Sequence, residues 1–463
     1  MNVLPTEFIN ALKTLFPAAD LLTGQADLIA YSYDNSQQQV MPLAVVFPRS
    51  HAQVQSLLRA CARHRIALVA RGKGTGTTGA AVPVAGGIVA SFERMNHILE
   101  IDPENRLARV EPGVTNQQLQ DALAEHGFFW PPDPTSASVC TVGGNLACNA
   151  AGPRAVKYGT PRENTLGLKA VTGMGESLQT GVSTTKGVVG YDLTRLIVGS
   201  EGTLAIITEA VLKLTPLAES RRTLQAIYGD MRSATRAVSA IMAQPVIPCA
   251  LEFMDSSAIR MVKDYADPGL PEQAAALLMI EVDGSSDAVD QAAAKVAAAA
   301  NTAGCLAVET ATTSEQVAQL WRTRKALSPA LRNIAPKKIN EDVVVPVSRI
   351  PELIEGLEQL SASSGIPIVN FGHAGNGNIH VNLLINPDDP KQMAAADDCL
   401  DEVFGLVLRL QGTLSGEHGI GMVKRNHIRQ ELDPTGLQLM RDIKRQFDPN
   451  NILNPGKSLP DGD

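Results

Sequence analysis

Two histidines seven positions apart, His373 and His380, enclose Ala374-Gly375-Asn376-Gly377-Asn378-Ile379, a run of turn formers between the strand-like IVNF and IHVNLL. A four-residue hairpin loop over 375–378 is expected, which sets 373 opposite 380. Directly opposed residues in such a ladder have Cβ atoms about 4.5–5.5 Å apart, so two imidazoles there can share one metal ion. Asn382 lies two residues beyond His380 and shares its face of the strand. The candidate third ligand is Glu417, in Ser415-Gly416-Glu417-His418-Gly419-Ile420-Gly421. Two histidines and one carboxylate leave a coordination position open, a set suited to catalysis with Zn²⁺ and compatible with Mn²⁺ or Fe²⁺. The competing account is a pair of hydrogen-bonded structural histidines.

A second kind of chemistry is suggested by three small-residue segments. Arg71-Gly72-Lys73-Gly74-Thr75-Gly76-Thr77-Thr78-Gly79 follows the strand-like IALVA. Its glycines allow successive N–H groups to face one concavity, where a pyrophosphate could accept them. It has neither the Walker A ending nor the Rossmann spacing. SASVCTVGGNLACNAAGPRAVKYG (136–159) and Gly199-Ser200-Glu201-Gly202-Thr203 add two more such patches. Together they suit a long cofactor lying against backbone. Cys148 falls inside the second patch and could touch that cofactor.

Hydrophobic patterning supplies the elements that must carry these residues. Strands are expected at 43–49, 66–70, 86–92, 107–113 and 195–214, with helices at 51–64 and 116–126, the latter capped by Thr115 and closed by Gly127. Residues 128–160 read as loop. Beyond 215–222 helices at 232–243, 286–303, 315–334 and 349–363 alternate with strands at 277–284, 342–347 and 366–371, and a last helix covers 435–447. Of 463 residues, 44% are apolar and 19% charged, as in a folded chain of two or three domains. A net charge of −8 without a basic stripe argues against nucleic acid. The six cysteines form no C-x-x-C pair, which disfavours disulfides, cysteine-held clusters and structural zinc. No signal peptide or spanning segment is evident, so a cytoplasmic location, or one peripheral to the membrane, is expected.

RGKGTGTTGA, PPDP, TVGGNLACNAAG, KYG, GSEGTLAIIT and the tail NPGK occur in an order and spacing that resemble the vanillyl-alcohol oxidase / p-cresol methylhydroxylase family of FAD enzymes. The resemblance spans essentially the whole chain and is nearest to the D-lactate, glycolate and D-2-hydroxyglutarate dehydrogenase branch. It implies an α+β architecture: an FAD-binding domain over 1–218, an α/β substrate or cap domain over 219–410, and a C-terminal segment, 411–463, carrying the GEHG loop back to the first. It implies FAD contacts from Arg71, Gly72, Lys73, Gly74, Thr75, Gly76, Thr77 and Gly79, and from Pro132 and Asp133. Further contacts are implied for Thr141, Gly143, Gly144, Asn145, Cys148, Asn149, Gly152, Tyr158 and Gly159, and for Glu201, Gly202, Ile206 and Asn454. Residues 71–80 contain no histidine, so the FAD should be non-covalent.

In that branch the positions matching His373, His380 and Glu417 hold a divalent metal, and the position matching His418 is the base. The metal can then bind a 2-hydroxy acid through its hydroxyl and one carboxylate oxygen. Imidazole, with a reference pKa of about 6.5, can take the hydroxyl proton while flavin accepts the hydride. Arg324, in W-x-x-R, matches the family's carboxylate-binding arginine; Arg322 and Arg332 share its helix. Lys337 and Lys338 could meet a second carboxylate, which favours D-2-hydroxyglutarate or D-malate over D-lactate or glycolate. Asn382 and His418 complete the expected substrate contacts. The electron acceptor is expected to be a quinone, cytochrome or electron-transfer flavoprotein, because no NAD fingerprint is present, and a homodimer is compatible with the sequence. Competing readings are a metal-dependent hydrolase or lyase and a non-redox FAD synthase of the alkyl-glycerone-phosphate synthase type.

Overall fold

The computed structural model describes residues 3–265, 269–321, 327, 331 and 335–461. They divide into two units, one of residues 1–152, 159–217 and 417–463, the other of 153–158 and 218–416. The C-terminal piece expected to begin at 411 therefore splits. Residues 411–416 remain with the second unit because Thr413 pairs both ways with Val344 and the Gly416 N–H donates to Asp342 O. The short helix Ala155–Tyr158 also goes with the second unit, anchored by Lys157 and Tyr158 on Asp283.

In the first unit, Val45–Val46, Ile88–Ser91 and Leu68–Arg71 form a parallel core to which Leu21–Leu22 adds antiparallel. A five-stranded antiparallel sheet follows, in the order Ile98–Asp102, Leu107–Val110, Ala205–Lys213, Thr165–Thr172, Ser177–Gly181. Each sheet has its own apolar cluster. Helix Asn116–Ala124 starts at Thr115 as expected, with a capping box to Gln118. Two expectations fail locally. Of the strands expected over 195–214 on either side of GSEGT (199–203), the second is present from Ala205, but the first is replaced by a short helix, Leu193–Ile197, capped by Asp192. Within the expected loop 128–160, Thr141 caps a helix, Val142–Cys148, by accepting from the Gly144 N–H.

The second unit is a seven-stranded antiparallel sheet, ordered Cys305–Ala311, Ser220–Tyr228, Ala276–Gly284, Ala250–Met254, Ile368–His373, Asn378–Ile385, Lys337–Val344. Strand alternation gives it two unlike faces. One face is mostly apolar, interrupted by the buried Asn370 and Glu341 opposite Val381, and packs under helices Met231–Ala243, Val289–Ala300, Ile350–Ser364 and Pro390–Arg409. The other is apolar in part, with Met254, Met279, Val369 and Phe371, yet also carries Glu252, His373, His380 and Asn382, all buried.

The hairpin that presents the histidines differs in register from expectation. Its loop is a 3₁₀ turn, Ala374–Asn376, closed by Gly377, so that His373 pairs with Asn378 and His380 with Phe371. The two histidines are thus diagonal neighbours on one face, not directly opposed. Gly377 sets this register. Its φ is 73°, and a Cβ there would lie 1.9 Å from Val345 O. Gly377→Ala should lower unfolding stability by about 2 kcal/mol or more through strain and displacement of that contact, read from denaturant unfolding. A change under about 0.5 kcal/mol would show that the loop tolerates a side chain.

Candidate flavin cleft and histidine pair

In the first unit a cleft with about 490 Å³ of empty space is lined by Arg71, Gly72, Thr141, Gly143, Gly144, Gly202 and Ile206, with Phe92, Pro112 and Ile197 among its apolar walls. The first glycine loop and the helix start at Val142 border it differently. Among the described residues, none accepts a hydrogen bond from the N–H groups of residues 73–78, and the buried Thr77 hydroxyl also has no protein partner. That loop therefore offers a row of donors, as a pyrophosphate requires. At the helix start the donors are already engaged: Val142 N–H on Val114 O, Gly143 N–H on Pro112 O, Gly144 N–H on the Thr141 hydroxyl. The GGN segment contributes shape instead. A Cβ on Gly143 would lie 2.6 Å from the Pro112 Cβ, and one on Gly72 would lie 2.3 Å from Thr141 Oγ1. A cleft of this lining, with the unengaged amides following Gly72 in sequence, fits a flat dinucleotide cofactor.

Several residues expected at the cofactor hold the protein together. The Arg71 guanidinium is buried and donates to Ala81 O and Ala30 O. Lys73 pairs with Glu93 at 3.0 Å. Gly74 and Gly79 bend the loop at φ 66° and 79°, while the Thr75 and Gly76 carbonyls accept from Asn35. Pro132 O and the Asn145 side chain both accept from the Asn116 amide, and Asp133 N–H donates to Ala151 O. Cys148 is half-buried at the end of its helix, and Asn149, at φ 54°, accepts from Thr160 and Arg162. Gly159, at φ 79°, leads into the same turn. Tyr158 lies in the second unit, its hydroxyl on Asp283 at 2.8 Å, and burial with that carboxylate pushes its pKa up. The Asn454 amide donates to Ala80 O and Glu201 O.

Glu201 is the most consequential of these. Its carboxylate is buried and accepts from Ile420 N–H at 2.5 Å, Gly421 N–H at 2.9 Å and Ser458 Oγ at 2.6 Å. Burial is the main influence on its pKa and raises it, opposed by these three donors and by Lys457. Its bonds fix the backbone immediately after His418. The first glycine loop grips the same segment, because Thr78 Oγ1 donates to His418 O and Thr78 O accepts from Met422 N–H at 2.8 Å. Gly421 is needed for that approach, since a Cβ there would lie 2.1 Å from Thr78 O. Glu417 Oε2 accepts from Gly152 N–H at 2.8 Å, within the second small-residue segment, and Glu417 Oε1 lies 3.9 Å from His418 Nε2. The candidate base and carboxylate therefore share one loop held to two cofactor-segment backbones of the first unit.

In the second unit the His373 and His380 rings meet edge-on with centroids 5.2 Å apart, and a nitrogen of one lies within 4.8 Å of a nitrogen of the other. The diagonal register still brings the pair within reach of a single ion. Glu252, which the sequence reading passed over, stands directly opposite His373 and bonds its Nδ1 at 2.5 Å. The signal for it was a lone acid inside the otherwise apolar ALEFM run. Asp342 was missed as well. It is buried beside His380 and accepts from Ser415 Oγ and Gly416 N–H, fixing the chain one residue before Glu417. Asn382 has its amide engaged with Val369 O, His380 O and Asn340, so it braces the sheet. Lys338 is exposed and lies on the same sheet face as His380, opposite Leu384. Arg322, Arg324 and Arg332 lie outside the described residues.

Comparisons with known proteins match both halves of the chain to family models. Residues 42–181 match the family described as FAD binding domain, and 217–458 match FAD linked oxidases, C-terminal domain. The chain is 41% identical to the glycolate oxidase subunit GlcD of Bacillus subtilis over 93% of this chain and 92% of the relative. It is 36% identical to a D-lactate dehydrogenase of Archaeoglobus fulgidus, covering 97% and 98%, and 33% identical to a D-2-hydroxyglutarate dehydrogenase of Stutzerimonas stutzeri, also covering 97% and 98%. In fold it is similar to p-cresol methylhydroxylase, with a TM-score of 0.80 at 20% identity over 98% of this chain and 97% of that one. The α+β expectation and the resemblance noted from the motifs both hold: the chain belongs to the FAD-linked oxidases, an FAD-binding domain followed by that family's C-terminal domain.

Proposed function

We propose that this protein is an FAD- and metal-dependent dehydrogenase that oxidises a D-2-hydroxy acid to the 2-oxo acid. The observation that carries the reading is the buried His373–His380 pair on a polar sheet face, in a chain whose GEHG loop is fastened to the glycine segments. His373 and His380 would hold the ion, with Glu417, one peptide bond beyond the anchored Gly416, as third ligand. When bound, that ion polarises the substrate hydroxyl. The flavin supplies the hydride acceptor. The remaining work belongs to the chain. His418 accepts the hydroxyl proton, and its backbone, held by Thr78 and flanked by the Glu201 contacts, limits where the imidazole can stand. In the first unit, the donors of residues 73–78 would take the pyrophosphate, and the walls at Gly72, Thr141, Gly143 and Gly144 exclude bulk and water. Arg324 remains the proposed partner of the substrate's 1-carboxylate and Asn382 a further contact.

D-2-hydroxyglutarate is favoured because Lys338 extends from the His380 face four positions along the ladder, roughly 13 Å away at about 3.3 Å per residue. The proposed role of the Lys338 side chain is to reach back over that face to a second carboxylate. A glycolate reading has its own support in the 41% identity to a glycolate oxidase subunit. D-malate, also a dicarboxylate, shares the support from Lys338, whereas D-lactate does not. Among the described residues no helix is long and apolar enough to cross a membrane. The proposed acceptor is a quinone, cytochrome or electron-transfer flavoprotein.

A panel of D- and L-2-hydroxy acids with an artificial acceptor tests the reading, run on wild type and Lys338→Ala. D-2-hydroxyglutarate should be preferred, and the variant should raise its KM about tenfold while leaving glycolate unaffected. Equal effects on both substrates would remove Lys338 from recognition, and a glycolate preference would favour the second reading. His418→Ala should keep its flavin absorbance and lose about 10²–10⁴-fold in turnover; near-normal turnover would displace it as base. Denaturation should release FAD into the supernatant, whereas flavin remaining on precipitated protein would show a covalent bond.

A further inference from the structure

We infer that Glu252 is a positioning residue for the metal: it locks His373 in the tautomer and orientation that turn Nε2 toward the ion. The inference rests on the metal reading above and adds to it a residue outside the three proposed ligands. Glu252 sits at the middle of Ala250–Met254, a strand whose five residues are all buried, at the centre of the seven-stranded sheet. Placing a carboxylate there costs several kcal/mol of desolvation, so it requires a strong partner. Its partner is His373, directly across the ladder, with Nδ1 to Oε1 at 2.5 Å. An ionised carboxylate only accepts, so Nδ1 carries the hydrogen and Nε2 keeps its lone pair. Nε2 is the nitrogen that does not face Glu252, and the His380 ring meets the His373 ring edge-on at an interplanar angle of 83°. A carboxylate behind a ligating imidazole fixes the ring and raises its basicity, and such partners contribute about 10–100-fold to metal affinity.

Glu252 differs from the other acids of this face in what it holds. Asp342 accepts from Ser415 and the Gly416 backbone, and Glu281 accepts from Thr223 and the Trp321 indole. Glu252 takes the His373 imidazole. The diagonal register makes this arrangement possible. It places His373 at the end of its strand beside Glu252, while Phe371, and not His373, faces His380 across the next ladder.

The test uses flavin-loaded protein stripped of metal by chelator, then titrated with Zn²⁺ against a chromogenic chelator, for wild type, Glu252→Gln and Glu252→Ala. Zn²⁺ affinity should fall about 10–100-fold in Glu252→Ala and by less in Glu252→Gln, whose amide oxygen still accepts from Nδ1. FAD content should stay at wild-type level in both, and the Co²⁺-loaded visible spectrum should shift, because the ligand field at His373 changes. A residue with a merely structural role would alter the unfolding midpoint of the metal-free protein and leave Zn²⁺ affinity and the Co²⁺ spectrum unchanged; that result overturns the inference. Should Glu252→Ala fail to fold, the isosteric Glu252→Gln decides it alone. Wild-type protein that binds no Zn²⁺ would overturn the metal reading, and the role of Glu252 with it.

Discussion

The carboxylate of Glu201 is the constraint on which the first unit's chemistry depends. A buried carboxylate is tolerable only when charge-assisted hydrogen bonds, each contributing about 1.5–3 kcal/mol, replace its water. Here the donors are two successive backbone N–H groups, Ile420 and Gly421, and the Ser458 hydroxyl. Three remote stretches of sequence, the GSEGT patch, the GEHG loop and the NPGKS tail, are thereby fixed at one point. Asn454 and Lys457 extend the knot to Ala80 and Val82 at the end of the first glycine loop. The Lys457 ammonium is buried, and that burial brings its pKa down to about 8. Opposite charges at close quarters between buried groups make the arrangement stiff, as the loop of the proposed base would require.

The second unit solves a different problem. A sheet with both faces apolar would be the simplest core, and one face comes close, interrupted by Asn370 and Glu341. The other carries Glu252, His373, His380, Asn382 and Asp342 in the middle of apolar neighbours. Glu252 and His373 hold each other, Asn382 holds the sheet backbone and Asp342 the Ser415–Gly416 turn, so this part of the polar row keeps its geometry. Asp255, capping the next helix and accepting twice from Asn370, shows the same economy, and its burial lifts its pKa to about 6.

Much of the site was legible because its parts are short and chemically unusual. A GNGN turn between apolar strands marked the histidine hairpin, and glycine clustering marked the cofactor loop. The capping pair Thr115 and Gln118 was readable for the same reason, since a cap is satisfied within four residues. What was not legible depended on partners far away in sequence. Glu252 and His373 are 121 positions apart, and Glu201 and Ile420 are 219 apart. An acid in a strand reads the same whether it faces water or an imidazole.

The sequence by itself determined which residue types were available for binding and proton transfer, and the local turns that bend them, because those follow from side-chain chemistry and backbone freedom. Tertiary structure alone decided their roles. It moved the hairpin register by seating Gly377 against Val345 O, which made the histidines diagonal neighbours. It engaged the GGN amides with Pro112, Val114 and Thr141, leaving the first loop as the row of donors. It gave Arg71, Asn454 and Glu201, expected at the cofactor, bonds that hold the loops. Long-range hydrogen bonds compete for the same donors and acceptors as a ligand does, and only the folded chain fixes which partner each one meets.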